Sequence, residues 1–295
     1  MTERILVCTD LDRTLIANGQ QPESTGARAR FDALVARPEV MLVYVSGRHC
    51  KLIKLAMRTY WLPPPDFVVA NVGTTIYQVG ASKRWQRFKD WEKGISSDWG
   101  ENSRRHLMEL LSGLPELRPQ ERTKQNRLKL SYYLPLEFDR ERMATEIHRR
   151  MESVGANVRL IWSIDDPAGV GLLDVLPARA SKFHALEYLM QATGFDLSNT
   201  VFCGDSGNDL EVLTSPIPSV LVANANPEIK VQARELADRH GHGPDLYLAE
   251  GGLFGMNGNY SAGMLEGIAH YHPNTLEWME LPEDATMGHA TGNSR

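Results

Sequence analysis

Cysteine is scarce in this sequence: Cys8, Cys50 and Cys203 are the only three among 295 residues. An odd count, with Cys8 and Cys203 set in apolar runs, excludes a disulfide framework and reads as reduced, cytosolic thiols. No apolar run is long enough to span a bilayer. The opening MTERILVCTD lacks the charged segment and apolar stretch of a secretory signal, so a cytoplasmic location away from membranes is expected. Basic residues are not in excess: 32 Lys and Arg against 37 Asp and Glu leave a net charge of −5. That balance excludes both the electrostatic footprint of nucleic-acid binding and a polybasic membrane patch. Internal repeats and low-complexity tracts are absent as well. What remains is 42% hydrophobic and 23% charged, the composition of a soluble globular protein. The length suffices for one large domain or two ordinary ones with a substantial core.

The hydrophobic pattern predicts an α/β fold. Ile5 to Cys8, Met41 to Val45 and Phe67 to Ala70 are short, uniformly apolar runs, the mark of buried parallel strands. Between the first two, Ala27, Phe31, Leu34 and Val35 recur at helical spacing. A second helix after Ser46-Gly47-Arg48 is stopped by Pro63-Pro64-Pro65, because proline cannot continue a helix. Strand–helix alternation of this kind builds a Rossmann-like parallel sheet. The pattern changes between Tyr77 and Ala180. Leu107, Leu110, Leu111 and Leu114 mark a helix, as do Met143, Ile147 and Met151; Leu128 to Leu134 and Val158 to Trp162 alternate as half-exposed strands. The parallel pattern then resumes with a helix over Phe183 to Thr193, strands at Thr200 to Gly204 and Ser219 to Ala223, and a helix from Gly263 to His270. The expected organisation is a core of residues 1–77 and 181–272, an inserted α+β cap at 78–180, and a loosely attached tail at 273–295.

Acidic residues gather where strands end. Asp10 and Asp12 follow the first strand; side chains two apart on extended chain point the same way. Gly204-Asp205-Ser206-Gly207-Asn208-Asp209 follows another buried strand. Parallel strands share one carboxyl edge, so Asp10, Asp12, Asp205 and Asp209 are placed to converge there. Four acids around one point make a hard-cation site suited to Mg²⁺. Taken singly, each stretch also reads as an ordinary acidic turn. Ser46 and Gly47 open a helix and offer an anion cradle, or equally a helix cap. Lys182, Lys129 and Tyr132 read alone as surface positions, His49 as a helix-surface histidine, and Trp85, Trp91, Trp99 and Trp162 as packing.

The combination is more specific than its parts. In order, strand-DLDRT, strand-SGR, insert, lysine and strand-GDSGND resemble the haloacid dehalogenase superfamily of phosphotransferases, of the type with an α+β cap. Leu6 to Thr14, Ala70 to Thr74, Lys129 to Tyr132, Gly204 to Asp209, Asn224 to Glu228 and Ala262 to Tyr271 are similar to the sucrose-phosphate phosphatase family within it. The resemblance implies Asp10 as nucleophile, Asp12 as general acid/base and Lys182 as the cation offsetting charge on nucleophile and phosphate. It implies Ser46, Gly47 and Asn208 as phosphate contacts, Arg48, Lys129 and Tyr132 as sugar contacts, and Asp10, Asp12, Asp205 and Asp209 around Mg²⁺. Thr14 would steady the loop after the strand, and Asp174 would approach the cleft. The implied substrate is a sugar phosphate, sucrose 6-phosphate first and mannosylfructose phosphate or another glycosyl phosphate second. A phosphomutase, or a non-catalytic sugar-phosphate-binding partner of a glycosyltransferase, is the alternative class. The resemblance allows association with a sucrose-phosphate synthase. Arg13, Phe183 and the Gly-rich stretch Gly251 to Gly258 depart from the usual pattern of such phosphatases.

Overall fold

The computed structural model describes residues 4–80, 84–165 and 168–281. In chain order it begins with β1 (Ile5–Thr9), α1 (Ala27–Val35), β2 (Val40–Val45), α2 (Cys50–Thr59), β3 (Phe67–Ala70), β4 (Thr75–Val79) and β5 (Trp85–Arg87). Then come α3 (Lys89–Ser96), α4 (Arg104–Leu111), β6 (Arg118–Pro119), β7 (Leu130–Leu134), α5 (Arg140–Glu152), β8 (Val158–Asp165) and β9 (Val170–Pro177). The chain closes with α6 (Lys182–Thr193), β10 (Thr200–Gly204), α7 (Leu210–Leu213), β11 (Ser219–Leu221), α8 (Pro227–His240), β12 (Leu246–Leu248) and α9 (Ser261–Tyr271). The described residues of Met1–Val45, Lys54–Val68 and Leu189–Arg295 make one compact unit; those of Ser46–Ile53 and Val69–Tyr188 make the second.

The first unit is built on parallel strands in the order β12-β11-β10-β1-β2. β1 and β10 are buried along their whole length, as strands covered on both faces must be. The register identifies the two covers. Thr9, Cys203 and Val220 lie side by side, and the Thr9 hydroxyl meets Met264 Sδ of α9 at 3.6 Å. Ser219 points to the opposite face, where its hydroxyl donates to the Val212 carbonyl of α7 at 3.4 Å. α1 packs on α9, and α8 on α7 and β12. Cys8 and Cys203 are buried free thiols, and burial pushes the pKa of both upward.

The second unit carries an antiparallel sheet in the order β6-β7-β9-β8, with α5 packed on β8 and α4 on α5. A hairpin of β4 and β5 also belongs to it. This is α+β construction, and its compact unit takes in residues 46–53 and 69–77 as well as the stretch read as an insert. The reason is local bonding. Ser46 N–H donates to the Val69 carbonyl at 2.8 Å and Asn71 N–H to the Arg48 carbonyl at 3.0 Å, while α3 packs against β4. Trp91 and Trp99 are buried, which is the packing role expected of them.

The start of the stretch assigned to a loose tail is packed. Pro273–Trp278 forms 3₁₀ turns, Thr275 and Met279 are fully buried, and Arg30 donates to the Met279 carbonyl at 3.1 Å. Met279 supplies apolar burial that the polar composition around it conceals. Residues 282–295 lie outside the described residues. No helix among the described residues is long and apolar enough to cross a membrane.

Candidate active site

In the first unit the strand ends do converge. Asp10 N–H donates to the Cys203 carbonyl at 2.9 Å, which sets the start of the Asp10 turn beside the end of β10. Carboxylate oxygens of Asp10, Asp205 and Asp209 lie within 4.8 Å of one another. All three residues are buried, at 5%, 4% and 0% exposure. Like charges this close and this dry require a counter-charge. An all-oxygen set of carboxylates fits a hard divalent cation such as Mg²⁺ and not a thiophilic one.

Two of the carboxylates are oriented from behind. Asp209 Oδ2 accepts from the Asp205 N–H, the Ser206 N–H and the Ser206 hydroxyl, each at 3.2 Å. Asp205 Oδ1 accepts from the Thr14 hydroxyl at 3.3 Å, and its Oδ2 lies 3.5 Å from Arg13 Nε. Thr14 thus ties the turn after β1 to the turn after β10. Gly204 makes the Asp209 position feasible: a Cβ there would stand 2.7 Å from Asp209 Cγ and 2.8 Å from Oδ2. Asn208, in the short 3₁₀ turn Gly207–Asp209, is half-buried.

Asp12 differs from the expectation. Its carboxylate is not in the three-acid group but accepts at Oδ1 from Asn18 Nδ2 at 2.8 Å. The rule that residues two apart share a face needs extended chain, and the chain leaves that geometry here. Thr14, Leu15 and Ile16 N–H all point back to the Leu11 carbonyl, and Arg13 sits at φ 59°. The Asp12 carboxylate therefore lies outside the three-acid group and is held by Asn18.

The second unit holds the remaining candidates. Ser46 is 1% exposed, and its hydroxyl accepts from the Arg48 N–H at 3.2 Å, with Gly47 between them. The facing loop is strained: Asn71, Val72 and Gly73 take φ of 54°, 59° and 94°. For a β-branched residue such as Val72 this conformation is an outlier, tolerated only where the surroundings over-determine it, as at binding loops. Gly73 is obligatory because a Cβ would lie 2.2 Å from the Ser181 carbonyl oxygen and 2.9 Å from Lys182 N. Its own carbonyl accepts from Trp91 Nε1 at 2.9 Å. Lys182, at the first turn of α6, is 2% exposed, far from the solvated charge a lone lysine suggests.

Lys129 is also buried, and its Nζ lies 3.2 Å from each Asp174 oxygen. Ser131 donates to the same carboxylate. His49 stands where Lys129, Lys51 and Lys124 act on it; its burial first, then those cations, lower its pKa below the ordinary value. Tyr132, the other expected sugar contact of this segment, is buried. On the pleat of β7 it alternates with Lys129 and Ser131 and shares the face of Leu130 and Leu173. It is 2% exposed, and burial raises its pKa. Tyr132 is a core residue of the cap-like sheet. The sequence reading missed Asn18, whose only signal was its place in a polar Asn-Gly pair just past the acidic turn.

Comparison with known proteins extends this picture. The family model of sucrose-6F-phosphate phosphohydrolases matches residues 3–272. A protein of Nitrosococcus oceani named only as a HAD-like hydrolase is 48% identical over all of this chain and 79% of its own length. Sucrose-phosphatase 1 of Nicotiana tabacum is 30% identical over 96% of this chain, which spans only 62% of the tobacco protein. The mannosylfructose-phosphate phosphatase of Agrobacterium fabrum is 26% identical over 91% of this chain and 97% of its own. Among solved structures, the sucrose-phosphatase of Synechocystis sp. PCC6803, determined with sucrose and phosphate, superposes with a TM-score of 0.71 at 26% identity. It covers 91% of this chain and 98% of its own.

Proposed function

The chain belongs to the sucrose-6F-phosphate phosphohydrolase family, and from that membership we propose that it is a Mg²⁺-dependent phosphatase converting sucrose 6-phosphate to sucrose and inorganic phosphate. The observation that carries this reading is the buried group of Asp10, Asp205 and Asp209, with Asp10 first after β1. These three residues are the proposed holders of the cation. When bound, Mg²⁺ supplies positive charge that offsets the repulsion between an anionic nucleophile and an anionic phosphate.

The chain's own residues divide the rest of the work. A carboxylate oxygen of Asp10 attacks phosphorus, and the bond from phosphorus to the sugar oxygen breaks. Asp12 gives that leaving oxygen its proton. A water then attacks the aspartyl-phosphate, Asp12 takes the water's proton, and phosphate leaves with Asp10 restored. Splitting a very slow hydrolysis into two displacements is the benefit of a carboxylate nucleophile. Ser46, Gly47 and Asn208 are the proposed phosphate contacts, and Lys182 adds fixed positive charge. Arg48 and Lys129 remain the proposed sugar contacts, with Asp174 and Ser131 holding the Lys129 ammonium. A site that pairs buried polar groups with hydroxyls discriminates strongly against substrates lacking them.

The test is a phosphate-release screen with Mg²⁺ over sucrose 6-phosphate, mannosylfructose phosphate, glucose 6-phosphate and fructose 6-phosphate. Highest kcat/KM on sucrose 6-phosphate is expected. Higher kcat/KM on mannosylfructose phosphate transfers the assignment to the second reading, which the likeness to the Agrobacterium fabrum enzyme favours. Isomerised sugar phosphate without phosphate release would overturn both.

A further inference from the structure

The turn that follows Asp10 is held by two asparagines outside the acidic cluster. Arg13 N–H donates to Asn18 Oδ1 at 2.8 Å, and the Arg13 carbonyl accepts from Asn224 Nδ2 at 2.6 Å. Both polar ends of a left-handed residue are thereby fixed, which is how an unfavourable φ is maintained. Asn224 is buried at 3% exposure, and its Oδ1 accepts from Tyr260 N–H at 2.7 Å. The clamp on Arg13 is therefore anchored to the segment entering α9. Asn18 has a second contact. Its Nδ2 donates to Asp12 Oδ1 at 2.8 Å.

An asparagine amide has one acceptor and two donor hydrogens. The Arg13 N–H occupies the acceptor, and that settles which way the amide faces. The donors are left pointing at the Asp12 carboxylate. We infer that Asn18 is a positioning residue: it passes the fixed orientation of the Arg13 peptide to the carboxylate of Asp12. The inference rests on the reading of Asp12 as the proton-transferring group. Aspartate at position 18 would set two carboxylates against each other, and alanine would release Asp12 from this restraint.

The experiment compares wild type, Asn18→Ala, Asn18→Ser, Asn18→Asp and Asp12→Ala by rapid quench. The substrates are the best sugar phosphate of the screen and p-nitrophenyl phosphate, whose leaving group needs no proton. Positioned proton transfer is worth roughly 10²–10⁴ in rate, and losing its alignment is expected to remove about ten- to a hundredfold of kcat on the sugar phosphate. KM should stay within about twofold, because Asn18 is not a proposed substrate contact. The initial rate of the p-nitrophenol burst, which reports attack by Asp10 alone, should hold, and the burst amplitude should not fall. Asn18→Ser should recover part of the loss and Asn18→Asp none. Unchanged kcat in Asn18→Ala overturns the inference. So does an equal fall in burst and kcat, which would mark a collapsed turn. Asp12→Ala with wild-type turnover would remove the acid/base reading itself, whatever Asn18→Ala does.

Discussion

Replacing Gly204 by alanine tests how the acidic cluster is held. The backbone at 204 is not left-handed, so the substitution carries no conformational penalty of that kind, and its cost is steric. The new methyl would meet Asp209 Cγ at 2.7 Å, Oδ2 at 2.8 Å and Cβ at 2.9 Å, whereas ordinary contacts begin at 3.4 Å. The Asp209 carboxylate must retreat by about 0.7 Å to relieve this overlap, a distance that falls from those contacts. Its three bonds to Asp205 N–H, Ser206 N–H and the Ser206 hydroxyl already stand at 3.2 Å, so a shift of that size breaks most of them. Overpacking costs ~1–3 kcal/mol, and a buried N–H left without a partner adds ~1–3 kcal/mol. A total of roughly 2–6 kcal/mol corresponds to a fall in Tm on the order of 4–24 °C for a domain of this size. Differential scanning calorimetry reads the stability, and titration with Mg²⁺ reads the cluster, whose affinity should drop at least tenfold. A Gly204→Ala protein with wild-type Tm and Mg²⁺ affinity would show that the position of Asp209 is not set by the space at Gly204.

Three further outcomes are expected. Asp10→Asn should abolish phosphate release with little change in Tm, measured by phosphate assay and calorimetry; a folded variant with near-normal release would remove Asp10 as nucleophile. Lys129→Ala should lower kcat/KM on sucrose 6-phosphate at least tenfold more than on p-nitrophenyl phosphate, while equal losses would assign Lys129 to the fold. The pKa of His49 is lowered in the folded protein, so between pH 7 and pH 5 the unfolded chain binds the extra proton first and stability falls as pH drops. His49→Gln should therefore lose less stability than wild type over that interval in urea unfolding, and parallel curves would refute the shift.

What the sequence disclosed follows from burial. β1, β2, β3 and β10 are almost wholly buried, so nearly every residue is apolar and the run is conspicuous; their boundaries fall within a residue or two of the expected ones. β12 is three residues long and β5 is half-exposed, which leaves no periodicity to read. α8 buries only Ala233 and Ala237, so its apolar stripe is faint, although Asn226 and Pro227 announce its start as cap and first-turn residue. Asp10, Asp205 and Asp209 were legible because strand ends share an edge. The surroundings of Asp12 and Tyr132 were not legible, because spacing in sequence places a side chain only while the backbone conformation is known. At Asp12 the chain has already turned, and at Tyr132 the strand's alternation sends neighbours to opposite faces. Lys182 and Lys129 were visible as charges, but their burial depends on Gly73 and Asp174, which are distant in sequence.

The seam at Gly73 bears on how such a chain could be re-engineered. The absent side chain of Gly73 is the slot into which the Ser181–Lys182 peptide fits, so the point where the chain departs and the point where it returns lock together directly. The stretch between them hangs from this lock as a loop hangs from a clasp. Exchanging residues 75–180 for the corresponding stretch of a relative should leave Lys182 in its place, provided that glycine stays at 73 and Trp91, or another donor in its position, still caps the Gly73 carbonyl. A single methyl at the clasp, by contrast, should displace Lys182 in every such chimera, however well the transplanted sheet folds.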